Sequence, residues 1–258
     1  MINDLSEWLR DICSEYEFQP YAVYRKTGIA HSEADNESID WPLTANSEAE
    51  LREKLRKSGQ FQPLPKESAA LANIVEVSIS DYLTNKISEI DGISMNPGTE
   101  RGYPDLELTG SLLADEYHAV DIKVARRSAS GKQTQSRITL YTGNTYFKFP
   151  EVDWPSILRP FANYKSHIDL IVIYTLDEDS LTRVTELELV IQPSWRIASR
   201  ERSSTTREYI GAVTNLEDLR AGRGAFDNEE EFYKFWRAYP FKIPKSVAKQ
   251  LEKILAEK

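Results

Sequence analysis

The stretch YPDLELTGSLLADEYHAVDIKVA, residues 103–125, decides how this chain is read. From Ala119 to Ala125 it alternates: Val120, Ile122 and Val124 fall on one side, Asp121 and Lys123 on the other. A period of two belongs to a half-buried β-strand, so a carboxylate and an ammonium project together from one face. Upstream, Leu106 and Leu108 alternate with Asp105 and Glu107. The Thr109, Gly110 pair predicts a turn that folds this shorter strand back beside the 119–125 strand. Asp105 is thereby carried towards Asp121, and two oxygen donors converge with a lysine alongside.

Magnesium is a hard, octahedral cation that keeps several waters and is commonly held by one or two carboxylates plus substrate phosphates, so the pair suits it as an incomplete cage. Such an ion polarises a phosphoryl oxygen and lowers the pKa of bound water, while Lys123 either orients the attacking water or neutralises charge developing on the phosphate. The reaction implied is phosphodiester hydrolysis. The same residues also fit a solvated ion pair on an exposed sheet face, worth about 0–1 kcal/mol, so the rest of the chain has to discriminate.

With 258 residues, 40% of them hydrophobic, the chain is long enough to bury a full core as one domain, or one domain with a small appendage. Its single cysteine, Cys13, excludes an internal disulfide. The first dozen residues are not signal-like, and no apolar run reaches the roughly 20 residues of a membrane helix, so a soluble, intracellular protein is expected. Three scattered histidines, His31, His118 and His167, with that cysteine do not make a standard zinc site, and no Walker-type phosphate loop is present.

A net charge of −9 argues against a nucleic-acid partner, but its distribution reverses the inference. Residues 122–148 hold Lys123, Arg126, Arg127, Lys132, Arg137 and Lys148 and no acid, giving +6 there against −15 elsewhere. Ser128, Ser130, Gln133, Thr134, Gln135 and Ser136 add donors for phosphates and base edges. Either this is a DNA-contacting arm or it is a mobile, solvated surface loop. A second basic segment, Arg196, Arg200, Arg202, Ser203, Ser204, Thr205, Thr206 and Arg207, lacks both helical and strand periodicity and reads as a loop on a rigid scaffold. A loop of this composition suits a major groove; a Ser-rich linker fits it equally well.

The layout elsewhere predicts an α/β or α+β core. Leu71, Ile74, Val75, Ile79, Leu83, Ile87 and Ile90 mark a helix over 68–90, with Pro65 before it, Asp91 and Gly92 after it, and Glu76 in its first half. Residues 168–174 read as a strand buried on both faces and 184–192 as its alternating neighbour, both core without chemistry. Asp227 is the expected N-cap of an acid-led helix whose stripe of Phe232, Phe235, Trp236 and Tyr239 packs inward. Residues 14–66 say little beyond a short strand near Tyr21 to Arg25, and 246–258 form a charged amphipathic helix.

Taken together, the chain resembles the EcoRV family of type II restriction endonucleases, within the PD-(D/E)xK nuclease superfamily, over roughly residues 70–239. The resemblance rests on Tyr103, Pro104, Asp105, on Val120, Asp121, Ile122, Lys123, and on Gly222, Arg223, Gly224, Ala225, Phe226, Asp227, Glu231, Phe232, Phe235, Trp236, Arg237, Ala238, Tyr239. It implies a restriction-endonuclease-like core, a mixed central β-sheet flanked by helices. It also implies a homodimer clamped on duplex DNA, Mg²⁺-dependent cleavage of both strands at a short palindrome, and a companion DNA methyltransferase in the same bacterial or archaeal cytoplasm. Asp105, Asp121 and Glu76 become the metal set and Lys123 the residue at the water. Thr99, Glu100 and Arg101 become the minor-groove loop and Ser203 to Arg207 the major-groove loop.

Two departures stand against that pattern. The recognition loop, Arg202 to Arg207, looks one residue shorter and lacks the family's Gly and Asn, so a different target sequence is expected. Residues 30–66 look inserted where the dimer interface would be built. The division expected is one endonuclease domain with an N-terminal or dimerisation part over about 1–70, a catalytic core over about 71–239 and a C-terminal helix over 240–258. A repair or structure-selective nuclease, and a non-catalytic DNA-binding protein, are the competing readings.

Overall fold

Five apolar residues at a spacing of four, Leu71, Val75, Ile79, Leu83 and Ile87, form one stripe of a long helix and are all buried. This is the helix over Ser68–Ser88, named α2 here, and it lies on a sheet face made by Leu106, Leu108, Val120, Ile122, Ile168, Leu170 and Val172. It ends as its sequence predicts. Glu89 and Ile90 close back on Lys86 and Ile87 with backbone bonds spanning three residues, and Gly92 adopts φ +85°, which favours glycine. The computed structural model describes residues 1–18, 47, 49–50, 53, 68–99, 102–155, 157–180 and 183–256. The expected strand near Tyr21 to Arg25 and nearly all of the apparent insertion over 30–66 lie outside the described residues.

The central sheet has five strands: β1 (Ser94–Pro97), β2 (Leu106–Thr109), β3 (His118–Arg126), β5 (Ser166–Leu176) and β6 (Val184–Pro193), in the order β1-β2-β3-β5-β6. Only the β3–β5 pair is parallel; the others are antiparallel. β2 folds back on β3 through Gly110, at φ +128°, where a side chain would overlap the Gly92 carbonyl. Leu106 pairs with Val120, which sets Asp105 beside the middle of β3. Helix α1 (Leu5–Cys13), N-capped by Asp4, joins α2 on the same face through Leu5, Leu9 and Cys13, so this early segment belongs to the core layer.

On the opposite face the odd-numbered residues of β3 and β5 look into an aromatic core. Ala119, Ala125, Ile171 and Ile173 meet Tyr103, Tyr141, Phe147, Phe161, Phe232 and Trp236 there. A second antiparallel sheet, in the order β4-β8-β7, closes this side: β4 (Thr139–Thr142), β7 (Ala198–Arg202) and β8 (Tyr209–Ala212). A short helical turn, α3 (Ser194–Ile197), links β6 to β7. Helices α4 (Leu216–Ala221), α5 (Glu229–Ala238) and α6 (Lys245–Ala256) follow.

Three sequence expectations need correction. The segment 196–207 is not one irregular loop, because residues 198–202 form β7; a bulge between Ala198 and Arg202 breaks the period of two that would have revealed it. The basic stretch 122–148 is not a free arm either. It finishes β3, turns through the bridge Arg127 to Thr134, and supplies β4. Helix α5 is N-capped by Asn228, whose side chain accepts from the Glu231 N–H at 2.9 Å, while the Asp227 N–H donates back to Glu231 at 3.0 Å. Asn228 holds the extended cap conformation, so Asp227 sits one residue too early.

His167, on the aromatic side of β5, is buried against Phe161 with ring centroids 3.9 Å apart, and its Nδ1 lies 2.6 Å from the Tyr103 hydroxyl. Burial, aided by Arg237 and His118, pushes its imidazole from 6.5 down to about 3. The unfolded chain therefore takes up a proton that the folded chain refuses between those values, and stability falls as pH drops from 6.5 towards 3. His167→Gln is expected to remove this contribution. Its stability relative to the parent should improve by a few kcal/mol on acidification through that window, read by urea unfolding.

Candidate active site

Asp105, Asp121 and Lys123 meet in a cleft of about 660 Å³ between the middle strand of the central sheet and the second sheet, with Glu76, Tyr103, Tyr141, Tyr146, Arg207 and Tyr209 around them. β3 presents Asp121 and Lys123 on one face, as the alternation predicts. The Lys123 Nζ lies 2.5 Å from Asp121 Oδ2. Asp105 is anchored by its own carboxylate, which accepts from the Ile122 N–H at 2.6 Å, and this places its side chain within hydrogen-bonding reach of Asp121. The solvated-ion-pair alternative does not survive: Asp121 is 5% exposed.

Burial sets the electrostatics. It pushes the Asp121 carboxyl well above its usual range, opposed by Lys123 and reinforced by Asp105 and Asp169. Burial alone would lower Lys123, but Asp121, Asp105 and Asp169 outweigh it, so the ammonium is held firmly protonated. Glu76, in the first half of α2, is raised by burial and then by the Asp105 charge, with Lys123 opposing. A cation in this cleft would relieve carboxylates that repel one another in a poorly solvated place.

The donor set is hard oxygen and incomplete. Among the described residues no group of three His, Cys, Asp or Glu side chains is drawn into one cage. Asp105 and Asp121 form the tight pair, and Glu76 stands at the rim of the same cleft. That suits an ion that brings its own waters and takes the rest of its ligands from substrate phosphates.

The expected DNA-contacting residues are dispersed. Arg207 reaches the cleft of Asp105, Asp121 and Lys123 itself, donating to the Tyr209 hydroxyl at 3.2 Å. Ser204 ties the loop tip, accepting from the N–H groups of Thr206 and Arg207, with Thr205 and Thr206 exposed. Ser203 bonds Thr139 at 2.6 Å, and Arg202 pairs with Glu208 at 2.8 Å. Two further arginines are engaged inside the protein. Arg127 donates to Thr175, the Glu186 carbonyl and Glu188, and Arg137 to Ser199, the Ala212 carbonyl and Glu201. Arg126 borders a groove beside Gln135 and Ser136, and Lys132 is exposed. Thr99 is exposed, and Glu100 and Arg101 lie outside the described residues.

One residue of the site escaped the sequence reading. Asp169, in a strand read as pure core, is fully buried and pairs in register with Asp121 across the parallel β3–β5 ladder. Burial pushes its carboxyl up to about 7 against the pull of Lys123 and Ser194. An aspartate inside an otherwise β-branched run was the signal available.

A mixed sheet flanked by helices, with a Pro-Asp before one strand and an Asp-x-Lys on the next, defines the restriction-endonuclease-like class. The family model for restriction endonuclease EcoRV matches residues 37–256, and the chain belongs to that family. Type II restriction enzyme EcoRV of Escherichia coli is 26% identical over 198 residues, covering 70% of this chain and 78% of that enzyme. The protein is a type II restriction endonuclease, a site-specific deoxyribonuclease.

Proposed function

We propose that this enzyme hydrolyses both strands of duplex DNA at a short palindromic sequence, as a homodimer that depends on Mg²⁺. The observation that carries the reading is the meeting of Asp105, Asp121 and Lys123 in one cleft, with the lysine 2.5 Å from Asp121. Asp105 and Asp121 would hold the ion, with Glu76 assisting from α2. When bound, Mg²⁺ supplies charge to the scissile phosphate and acidifies a water. Lys123, kept protonated by its carboxylate neighbours, holds that water in line or balances charge on the phosphate oxygens. Ser203 to Arg207 form the candidate major-groove loop and Thr99 to Arg101 the minor-groove loop. In this reading residues 1–70 contribute to the dimer, the enzyme works in a bacterial or archaeal cytoplasm, and a companion methyltransferase protects host DNA.

The test is digestion of a long unmethylated viral DNA with and without Mg²⁺, followed by sequencing of the product ends. Discrete fragments that require Mg²⁺ and share one palindrome at their ends are expected. A smear, or preference for branched over linear duplex, would replace this reading by a repair or structure-selective nuclease. Intact DNA would leave a DNA-binding protein.

A further inference from the structure

Asp169 has no place in the reaction as described, yet its surroundings are hard to explain as packing. It is fully buried, and among the described residues neither carboxylate oxygen receives a hydrogen bond of good geometry; the Ser194 hydroxyl is close enough to favour its charged form but does not point squarely at it. Its cross-strand neighbour on β6, Gln192, uses its side-chain amide on the Arg220 carbonyl at 2.7 Å. The nearby Ser194 hydroxyl donates to the His167 carbonyl at 3.3 Å. Leaving a buried carboxylate without donors is costly, and a neutral side chain of the same shape would remove that cost. What the carboxylate does face is the catalytic group. It stands on the same sheet face as Asp121 and Lys123, in register with Asp121, on the side of β3 away from Asp105. Asp121 is thus flanked by a carboxylate on each side.

The consequence follows from the ion that the proposed function requires, and the inference rests on that reading. In the structure the Lys123 ammonium is satisfied by Asp121. With Asp105 and Asp121 committed to a divalent cation, the Asp121 carboxylate would no longer be free for the ammonium. Lys123 would then need another negative charge to stay charged and oriented in a poorly solvated cleft. We propose that Asp169 is a positioning residue for Lys123, the inner carboxylate that holds the ammonium towards the scissile phosphate once Asp121 is committed to the metal. It acts through Lys123 and touches neither substrate nor ion.

Asp169→Asn keeps the shape and removes the charge. On a duplex fragment that the parent enzyme cuts, its single-turnover rate at saturating Mg²⁺ is expected to fall about 10- to 100-fold, as for a displaced catalytic group. The half-saturating Mg²⁺ concentration and DNA binding in Ca²⁺ should stay within about twofold of the parent. An unchanged rate overturns the proposal and leaves Asp169 structural. A rate restored by excess Mg²⁺ also overturns it, making Asp169 a metal ligand.

A second measurement needs neither metal nor DNA. With Lys123→Met, Asp169 loses its compensating charge, so adding Asp169→Asn should raise the melting temperature more in that background than in the parent. Additive melting shifts overturn the coupling. Should the parent enzyme cut no DNA, the nuclease reading fails by itself, and this thermal cycle still decides whether Asp169 and Lys123 act together.

Discussion

Asp121→Ala is expected to lower the cleavage rate by about 10⁴-fold or more while leaving DNA binding in Ca²⁺ largely intact. The size follows from three losses at one position. The alanine removes an oxygen donor from the Asp105 pair, releases the Lys123 ammonium from its 2.5 Å contact, and leaves that cation to the more distant charges of Asp105, Asp169 and Glu76. No other residue can replace it. Asp105 is tied to the Ile122 N–H, and Glu76 stands on another element, at the rim of the cleft. Because the Asp121 carboxylate is buried and repelled by Asp105 and Asp169, and those two still offset the Lys123 charge once it is gone, the variant should not be less stable than the parent by more than about 1–2 kcal/mol. A melting curve therefore separates loss of chemistry from loss of fold. Cleavage at the parent rate would show that the hydrolytic centre has been placed wrongly.

Trp236→Ala should cost about 3–5 kcal/mol and lower the melting temperature by roughly 10 °C. Trp236 is fully buried, stacks on Phe241 at 5.7 Å between ring centroids, meets Phe235 and Tyr239, and donates from Nε1 to the Ser199 carbonyl at 3.1 Å. The last contact fixes β7, the strand that leads into the loop of Ser203 to Arg207. Weakened DNA binding should therefore accompany the thermal loss. Trp236→Phe keeps most of the apolar area and loses only the indole hydrogen bond, so it should recover most of the stability. If Trp236→Ala melts like the parent, the aromatic side of the molecule is not one packed core.

Legibility from sequence was uneven, and the reasons are local against non-local. The pairing of β2 with β3 depends on a turn at Gly110 and two short alternating runs, all within about twenty residues. The helix over Ser68–Ser88 declared itself by its apolar spacing. By contrast β7 was hidden, because its Ser199, Arg200 and Glu201 carry no apolar alternation; it exists because β8 pairs with it and Arg137 and Trp236 hold its side chains and carbonyls. The arginines near 126–137 read as a single basic arm. Two of them, Arg127 and Arg137, are in fact spent on Glu188 and Glu201, partners more than sixty positions away.

By itself the sequence determined the two converging strands, the Asp105, Asp121 and Lys123 set they carry, the long helix that brings Glu76, and the family. Each of these depends on periodicity or turn chemistry within a short span. Only the tertiary structure decided that Asp169 lies beside Asp121, that Arg207 reaches the cleft of Asp105 and Lys123, and that His167 is held uncharged beneath Tyr103. Those neighbours are created by the parallel β3–β5 ladder and by the second sheet folding over the aromatic core. Parallel pairing joins residues 48 positions apart, and no local period records which residues it sets in register.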